Sequence, residues 1–193
     1  PYGRSLPTEE QLRSYSIEDV HNFYATNFGA GRTRIYVAGR FNEAEMEAAI
    51  RDAFGDWTRG EPDQAEGAPA RHGPIVQLID RPGAPQTTLR LGFPVMAIGD
   101  EDAPAMTVMN AMPPQSEGDS IRSWLSGVFV LQNASTGGLI GQLANRDLWD
   151  LPDDYLDSYV PNILAVSDAD ISRMASEYLP LDRMVLVLVG DLA

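Results

Sequence analysis

SIEDVHNFYATNFGAGRTRIYVAGRF, residues 16–41, has a counterpart later in the chain: residues 167–192, SDADISRMASEYLPLDRMVLVLVGDL, align with it without a gap at an offset of 151 residues (167 − 16). Ser16 pairs with Ser167, Asp19 with Asp170, Arg32 with Arg183 and Gly39 with Gly190, while Val20, Phe23 and Phe28 face Ile171, Met174 and Leu179. The physical features recur in the same order as the identities. A Ser N-cap with an acid three residues on is followed by an amphipathic helix, a short loop with an Arg, an apolar strand, and a Gly where the strand ends. The chain therefore reads as two related helix-strand units. Within them Ser and Asp are caps, Gly closes the strand and the two arginines anchor the loop between.

Around the first copy, Thr8 and Gln11 form a capping-box pattern that predicts a short helix. The helix that follows Ser16 carries its apolar face on Val20, Phe23, Tyr24 and Phe28, and residues 33–39 (TRIYVAG) have the β-branched, apolar composition of a buried strand. Asn42 caps a third helix with Met46, Ala49, Ile50, Ala53 and Phe54 on one face; it ends at Gly55, and Trp57 packs back on it. Residues 58–73 shift to Gly, Pro, Ala and charge, a linker too long for a typical connection inside one compact unit.

Beyond the linker, residues 75–80 and 86–93 read as strands, with Thr87, Leu89 and Leu91 on a buried face of the second. Residues 100–112 form a helix with an acidic first turn, in which Met106 and Met109 are core residues rather than a flexible binding surface. The pattern breaks at residues 113–119. Helices are then predicted over 120–128, 138–149, 153–166 and 167–179, burying Leu139, Ile140, Leu143 and Leu148 in the second and Leu156, Tyr159, Val160 and Ile163 in the third. Residues 184–189 (MVLVLV) are apolar on both faces, the mark of an interior strand.

Composition narrows the class. With 14 basic and 28 acidic residues the 193-residue chain has a formal charge of -14, which repels phosphate backbones and anionic lipid and argues against nucleic acid as a partner. The absence of cysteine rules out disulfides and thiolate ligands and leaves bacterial periplasm and cytoplasm both open. No apolar run approaches the ~20 residues of a membrane helix, and the first residues lack a basic-then-apolar signal region. The start at Pro1 reads as a processed or fragment end.

Four features imitate sites. His21 lies toward the polar side of its helix with no His or Glu at zinc spacing, and His72 sits at the linker end beside Gly73 and Pro74; both read as solvated residues. Asp153 and Asp154 follow Pro152 at a helix start, where the helix dipole accounts for them. Gly137 and Gly138 lack the preceding strand and the Lys of a phosphate-cradling loop, and they read as the beginning of a helix.

The run from PYGR (residues 1–4) through residues 16–41 to AIRDAFGDW (residues 49–57) resembles the end of the first half of the pitrilysin/insulinase family of zinc metallopeptidases, which includes the mitochondrial processing peptidase. IVQLIDRPGAPQTTLRLGFP (residues 75–94) is similar to the opening of the family's second half, residues 102–110 to its first helix, and residues 148–191 to its closing segment. The resemblance implies an α+β fold of two related α/β halves, each an antiparallel-rich sheet covered by helices, a processing-peptidase-like metallohydrolase fold that is incomplete in this chain. It assigns residues 1–57 to the end of the first half, 58–73 to the linker and 74–193 to the second half, with an omission near residues 112–113, since about four strands face some seven helices.

The family holds zinc with a His-x-x-Glu-His helix and a downstream Glu. These precede the part that resembles Pro1, Tyr2 and Gly3, and no His-x-x-Glu-His occurs in this chain. The family's substrate-contacting Arg and Tyr fall in the part omitted near Met112. Catalytic, cofactor-binding and metal residues are therefore none; zinc is expected for an intact active member and not for this chain. The resemblance implies part of an insulinase-like peptidase that cleaves peptides between two halves, this segment supporting fold and chamber. The alternatives are a non-catalytic partner subunit of a heterodimeric processing-type peptidase and, outside proteolysis, an interaction module. Expected partners are a peptide substrate and a homologous subunit, as a homo- or heterodimer.

Overall fold

The computed structural model describes residues 6–62, 73–113 and 117–191. The chain divides into two compact units, residues 1–69 and 70–193. The expected linker lies largely outside the described residues, as does His72.

The first unit is helical. Helix α1 (Glu9–Ser14) begins with the expected Thr8–Gln11 capping box. Helix α2 (Ile17–Asn27) begins with a second box, in which Ser16 accepts from the Asp19 N–H at 3.2 Å and the Asp19 carboxylate accepts from the Ser16 N–H at 2.8 Å. A 3-10 turn, Ala30–Arg32, follows and is pinned to the chain beyond α3: the N–H groups of Ala30 and Gly31 donate to the carbonyls of Thr58 and Arg59, each at 2.9 Å. A side chain at Gly29 would put its Cβ 2.6 Å from the Arg59 oxygen, so this contact depends on glycine. Helix α3 (Glu43–Phe54) is capped by Asn42, and Phe54 meets Trp57 with ring centroids 6.1 Å apart.

No strand forms over residues 33–39, contrary to expectation. The composition suits a strand, but a strand exists only where another lies beside it to complete a ladder. Among the described residues the first unit offers no second strand. The apolar faces of α2 and α3 are placed as periodicity predicts, yet they are not buried: Val20, Phe23, Tyr24, Phe28 and Phe54 are all exposed. Periodicity decides which face of a helix wants cover; it cannot supply the cover.

The second unit is α+β. Strands β1 (Ile75–Asp80), β2 (Thr88–Gly92) and β3 (Val185–Gly190) form one sheet in the order β1-β3-β2. β3 is the interior strand, as its two-faced apolar sequence predicts. It runs parallel to β1 and antiparallel to β2, so the sheet is small and mixed rather than antiparallel-rich. Helices α4 (Ala103–Ala111), α5 (Gly118–Asn133), α6 (Thr136–Leu148), α7 (Tyr155–Ala165) and α8 (Asp168–Tyr178) occupy the segment between β2 and β3. Gly137 and Gly138 lie in the first turn of α6, behind the Ser135 cap, as expected for a helix start.

The core of this unit is a helical bundle. Ala105 and Val108 of α4, Ile163 of α7, Val166, and Ile171 and Met174 of α8 form one buried cluster, with Met106, Met109 and Tyr159 packed against it. The methionines of α4 are thus core neighbours, as their pattern predicts. The expected face of α6 is less covered: Leu139 and Leu148 are exposed, because α6 packs on α5 alone among the helix neighbours with substantial contact.

Candidate functional site

The structure repeats the helix bounds and the capping bonds of the sequence repeat. Helices α2 and α8 have equivalent ends at the offset of the repeat, and the 3-10 turn Leu181–Arg183 matches Ala30–Arg32. Ser167 accepts from the Asp170 N–H at 3.2 Å while the Asp170 carboxylate accepts from the Ser167 N–H at 2.9 Å. In each box the serine hydroxyl also donates to the carboxylate, at 2.6 Å from Ser16 to Asp19 and 2.5 Å from Ser167 to Asp170. This bond first, then the one from the serine backbone N–H, holds both carboxyls below the usual carboxylate range. The Arg32 guanidinium donates to the Thr26 carbonyl at 3.3 Å and Arg183 to that of Glu177 at 3.1 Å, so each arginine ties the turn to the last turn of its helix.

The paired glycines, by contrast, serve different needs. Gly39 adopts a φ of 144° that other residues rarely take. Gly190 ends β3 against Thr87, whose Oγ1 would lie 2.7 Å from an added Cβ.

Around β3 the register builds a grid of aliphatic side chains. Leu186 lies between Val76 and Leu91, and Leu188 between Leu78 and Leu89. Cross-strand partners point to the same side of a sheet, so these six residues share one face. That face is bare: Val76 is 61% exposed, Leu78 60%, Leu89 54% and Leu91 55%. This corrects the expectation that Leu89 and Leu91 are buried. Their alternation does place them together, but among the described residues no helix of the unit packs substantially on the sheet. β1 and β2 are its two edges.

A clamp organises the other end of the bundle. Arg122 of α5 is 9% exposed; its guanidinium donates to the Val166 carbonyl at 2.8 Å, to Asp168 at 3.1 Å and to Asp119 at 2.6 Å. It thereby joins the end of α7 and the start of α8 to α5. Arg173 of α8 holds Asp102, ahead of α4, in a two-pronged pair, with 2.8 Å from Nη1, and this pairing depresses the Asp102 carboxyl. Sequence reading missed both clamps, since each joins residues far apart in the chain.

A cavity of about 390 Å³ opens between the first half of α4 and the length of α7, over Ile163 and beside Tyr155, Tyr159, Asn162, Asp100 and Glu101. Sequence reading missed this grouping too; its one local trace is the four-residue spacing of the two tyrosines on one helix face.

The features that imitate sites resolve as follows. His21 lies on the exposed surface of α2. Asp153 sits before α7 within 3.5 Å of Arg146, and Asp154 is the N-cap position of α7. Among the described residues no group of three or more His, Cys, Asp or Glu side chains is placed to hold a metal ion, and His21 does not fit a zinc site. No helix among the described residues is long and apolar enough to cross a membrane.

Fold and site together define an α+β repeat scaffold whose described residues bring no metal-ligating cluster together. The model of the family described as the peptidase M16 inactive domain matches residues 14–112, just over half the chain, and the chain belongs to this family. The fold agrees with those of two solved structures. One is the crystal structure of a peptidase M16 inactive domain from Pseudomonas fluorescens, at a TM-score of 0.81 and 16% identity, covering 96% of this chain and 60% of that one. The other is a protease from Helicobacter pylori, at a TM-score of 0.80 and 13% identity, covering 94% of this chain and 61% of that one. This chain therefore spans about three fifths of the length of either. No curated protein matches it. The family match ends at Met112, the point at which the sequence pattern breaks.

Proposed function

We propose that this chain is a non-catalytic part of an M16 peptidase, supporting the fold and the walls of a peptide chamber while zinc and its activating carboxylate come from other residues of the assembly. The observation that carries the reading is the bare grid of Val76, Leu78, Leu89 and Leu91 around β3. An aliphatic face of this size in water costs free energy in proportion to its area, at roughly 25 cal/mol per Å², and is the kind of surface that a protein partner covers. The outer edges of β1 and β2 also suit the addition of an extended peptide through main-chain hydrogen bonds.

Two arrangements satisfy this reading: the catalytic half lies in the same polypeptide, or it lies in a homologous subunit. The match to a family described as an inactive domain is compatible with both. Mixing the chain with a zinc-bearing M16 half and measuring the mass of the product by light scattering tests it. A defined complex that is lost in Leu78→Glu/Leu89→Glu, with helix content unchanged, supports the reading; failure to associate at tens of micromolar opposes it.

A further inference from the structure

The cavity between α4 and α7 lies away from the bare sheet face and has no part in the function proposed above. Its floor is apolar and well packed: Ile163 is 1% exposed and Leu151 8%. Its aromatic wall is held in place, since Tyr159 stacks on Phe129 at 4.1 Å and meets Tyr155 edge-on at 6.0 Å. Volumes of about 300–1,000 Å³ with an apolar body and a few convergent polar groups are typical of small-molecule sites, and this cavity falls at the lower end.

The lining decides the charge of the occupant. Two of its hydroxyls are committed, Thr107 to the Ala103 carbonyl and Ser158 to that of Tyr155. The Tyr155 and Tyr159 phenols, the Asn162 amide and the Glu101 carboxylate have no hydrogen-bond partner among the described residues, and one Asp100 oxygen accepts only from the Asp102 N–H. The lining holds two carboxylates and no Lys, Arg or His. Two arginines that pair with carboxylates next in sequence to the lining are already matched: Arg173 to Asp102 and Asp170, Arg146 to Asp147 and Asp153. The positive ends of α4 and α7 attract anions to some degree, but a partial helix charge is smaller than two full carboxylates at the mouth.

From this lining we infer that the cavity binds a small organic ammonium ion, a protonated amine on an apolar stem, with the stem over Ile163 and Leu151 and the charged head between Asp100, Glu101 and the two phenols. Burial raises both phenols above their ordinary range, so they stay neutral and keep hydroxyls able to accept from an ammonium N–H.

The test is calorimetric titration of the full chain with three probes of like shape: 2-phenylethylammonium, the neutral 2-phenylethanol and the anion 3-phenylpropanoate. The expected result is saturable binding of the ammonium, at least tenfold weaker binding of the alcohol and none of the anion, with affinity falling as salt is raised. Asp100→Asn/Glu101→Gln should weaken the ammonium at least fivefold and leave the alcohol unchanged. Both positions are exposed, and the amide introduced at position 100 keeps an oxygen able to accept from the Asp102 N–H, so the fold is retained. Glu43→Gln/Glu45→Gln, on α3, should change neither. Absence of saturable ammonium binding, equal affinity for alcohol and ammonium, or indifference to Asp100→Asn/Glu101→Gln overturns the assignment.

Discussion

Arg183 donates a hydrogen bond to the carbonyl oxygen of Glu177, six residues earlier, and Arg32 does the same to Thr26 at the equivalent place in the other copy. A repeat seen as four identities in sequence is therefore a repeat of hydrogen-bonded geometry, in which an arginine satisfies a carbonyl that a helix end leaves without a partner. Replacing Arg183 by Ala should cost about 1 kcal/mol, the ordinary net value of one such bond, measured as a lower urea midpoint at unchanged slope. Arg183→Lys, which offers no planar fork, should recover only part of it.

Arg122 should matter more. Its partners Asp119 and Asp168 are 92% and 80% exposed at their side chains, so the ion pairs are screened and contribute little. The buried stem and the bond to the Val166 carbonyl dominate. Arg122→Ala removes both and exposes the α5–α7–α8 junction, with an expected loss of about 2–3 kcal/mol in urea unfolding. Asp119→Asn should cost no more than about 0.5 kcal/mol by the same measurement.

The capping boxes make a pH prediction. Asp19 and Asp170 have carboxyls depressed in the folded chain relative to the unfolded one, so the folded state binds fewer protons at these sites. Their contribution is present above the unfolded carboxylate range, near pH ~4, and disappears as pH falls through the folded values. Carbon-detected titration should show Asp170 titrating below a free aspartate, and Ser167→Ala should move it back up. An Asp170 curve unchanged by Ser167→Ala would contradict the hydrogen-bond origin.

Core and bare face should respond oppositely to truncation. Ile163→Ala empties a site that is fully buried and should cost about 3 kcal/mol. Leu78→Ala, on the exposed grid, should change the stability of the isolated chain by less than about 0.5 kcal/mol. In a complex that covers the sheet, Leu78→Ala should instead lower affinity at least tenfold.

These contrasts explain what was legible in the sequence. The presence of the helices, the caps at Thr8, Ser16, Asn42 and Ser167, and the interior position of β3 depend on local pattern and are legible in it. Helix bounds are not: the helix expected over 120–128 runs from Gly118 to Asn133. Residues 33–39 show the limit, for β-branched composition expresses a preference and only a neighbouring strand fulfils it. Leu89 and Leu91 show another: alternation put both on one face without showing that the face lies open. The Arg122 clamp, the Arg173–Asp102 pair and the cavity at Tyr155 and Tyr159 depend on contacts between distant segments, which no period or spacing records. The α+β class and the family were legible because the repeat and the segments around it carry them.

The claim that the chain supplies no catalytic group is tested most directly by hydrolysis of a fluorogenic peptide in the presence of zinc, with the full chain alone and with a zinc-bearing M16 half added. The account predicts no chelator-sensitive turnover by the chain alone. It predicts turnover in the mixture above that of the catalytic half, falling at least tenfold when Leu78→Glu/Leu89→Glu replaces the native chain. Chelator-sensitive cleavage by this chain alone, lost in His21→Ala, would contradict it.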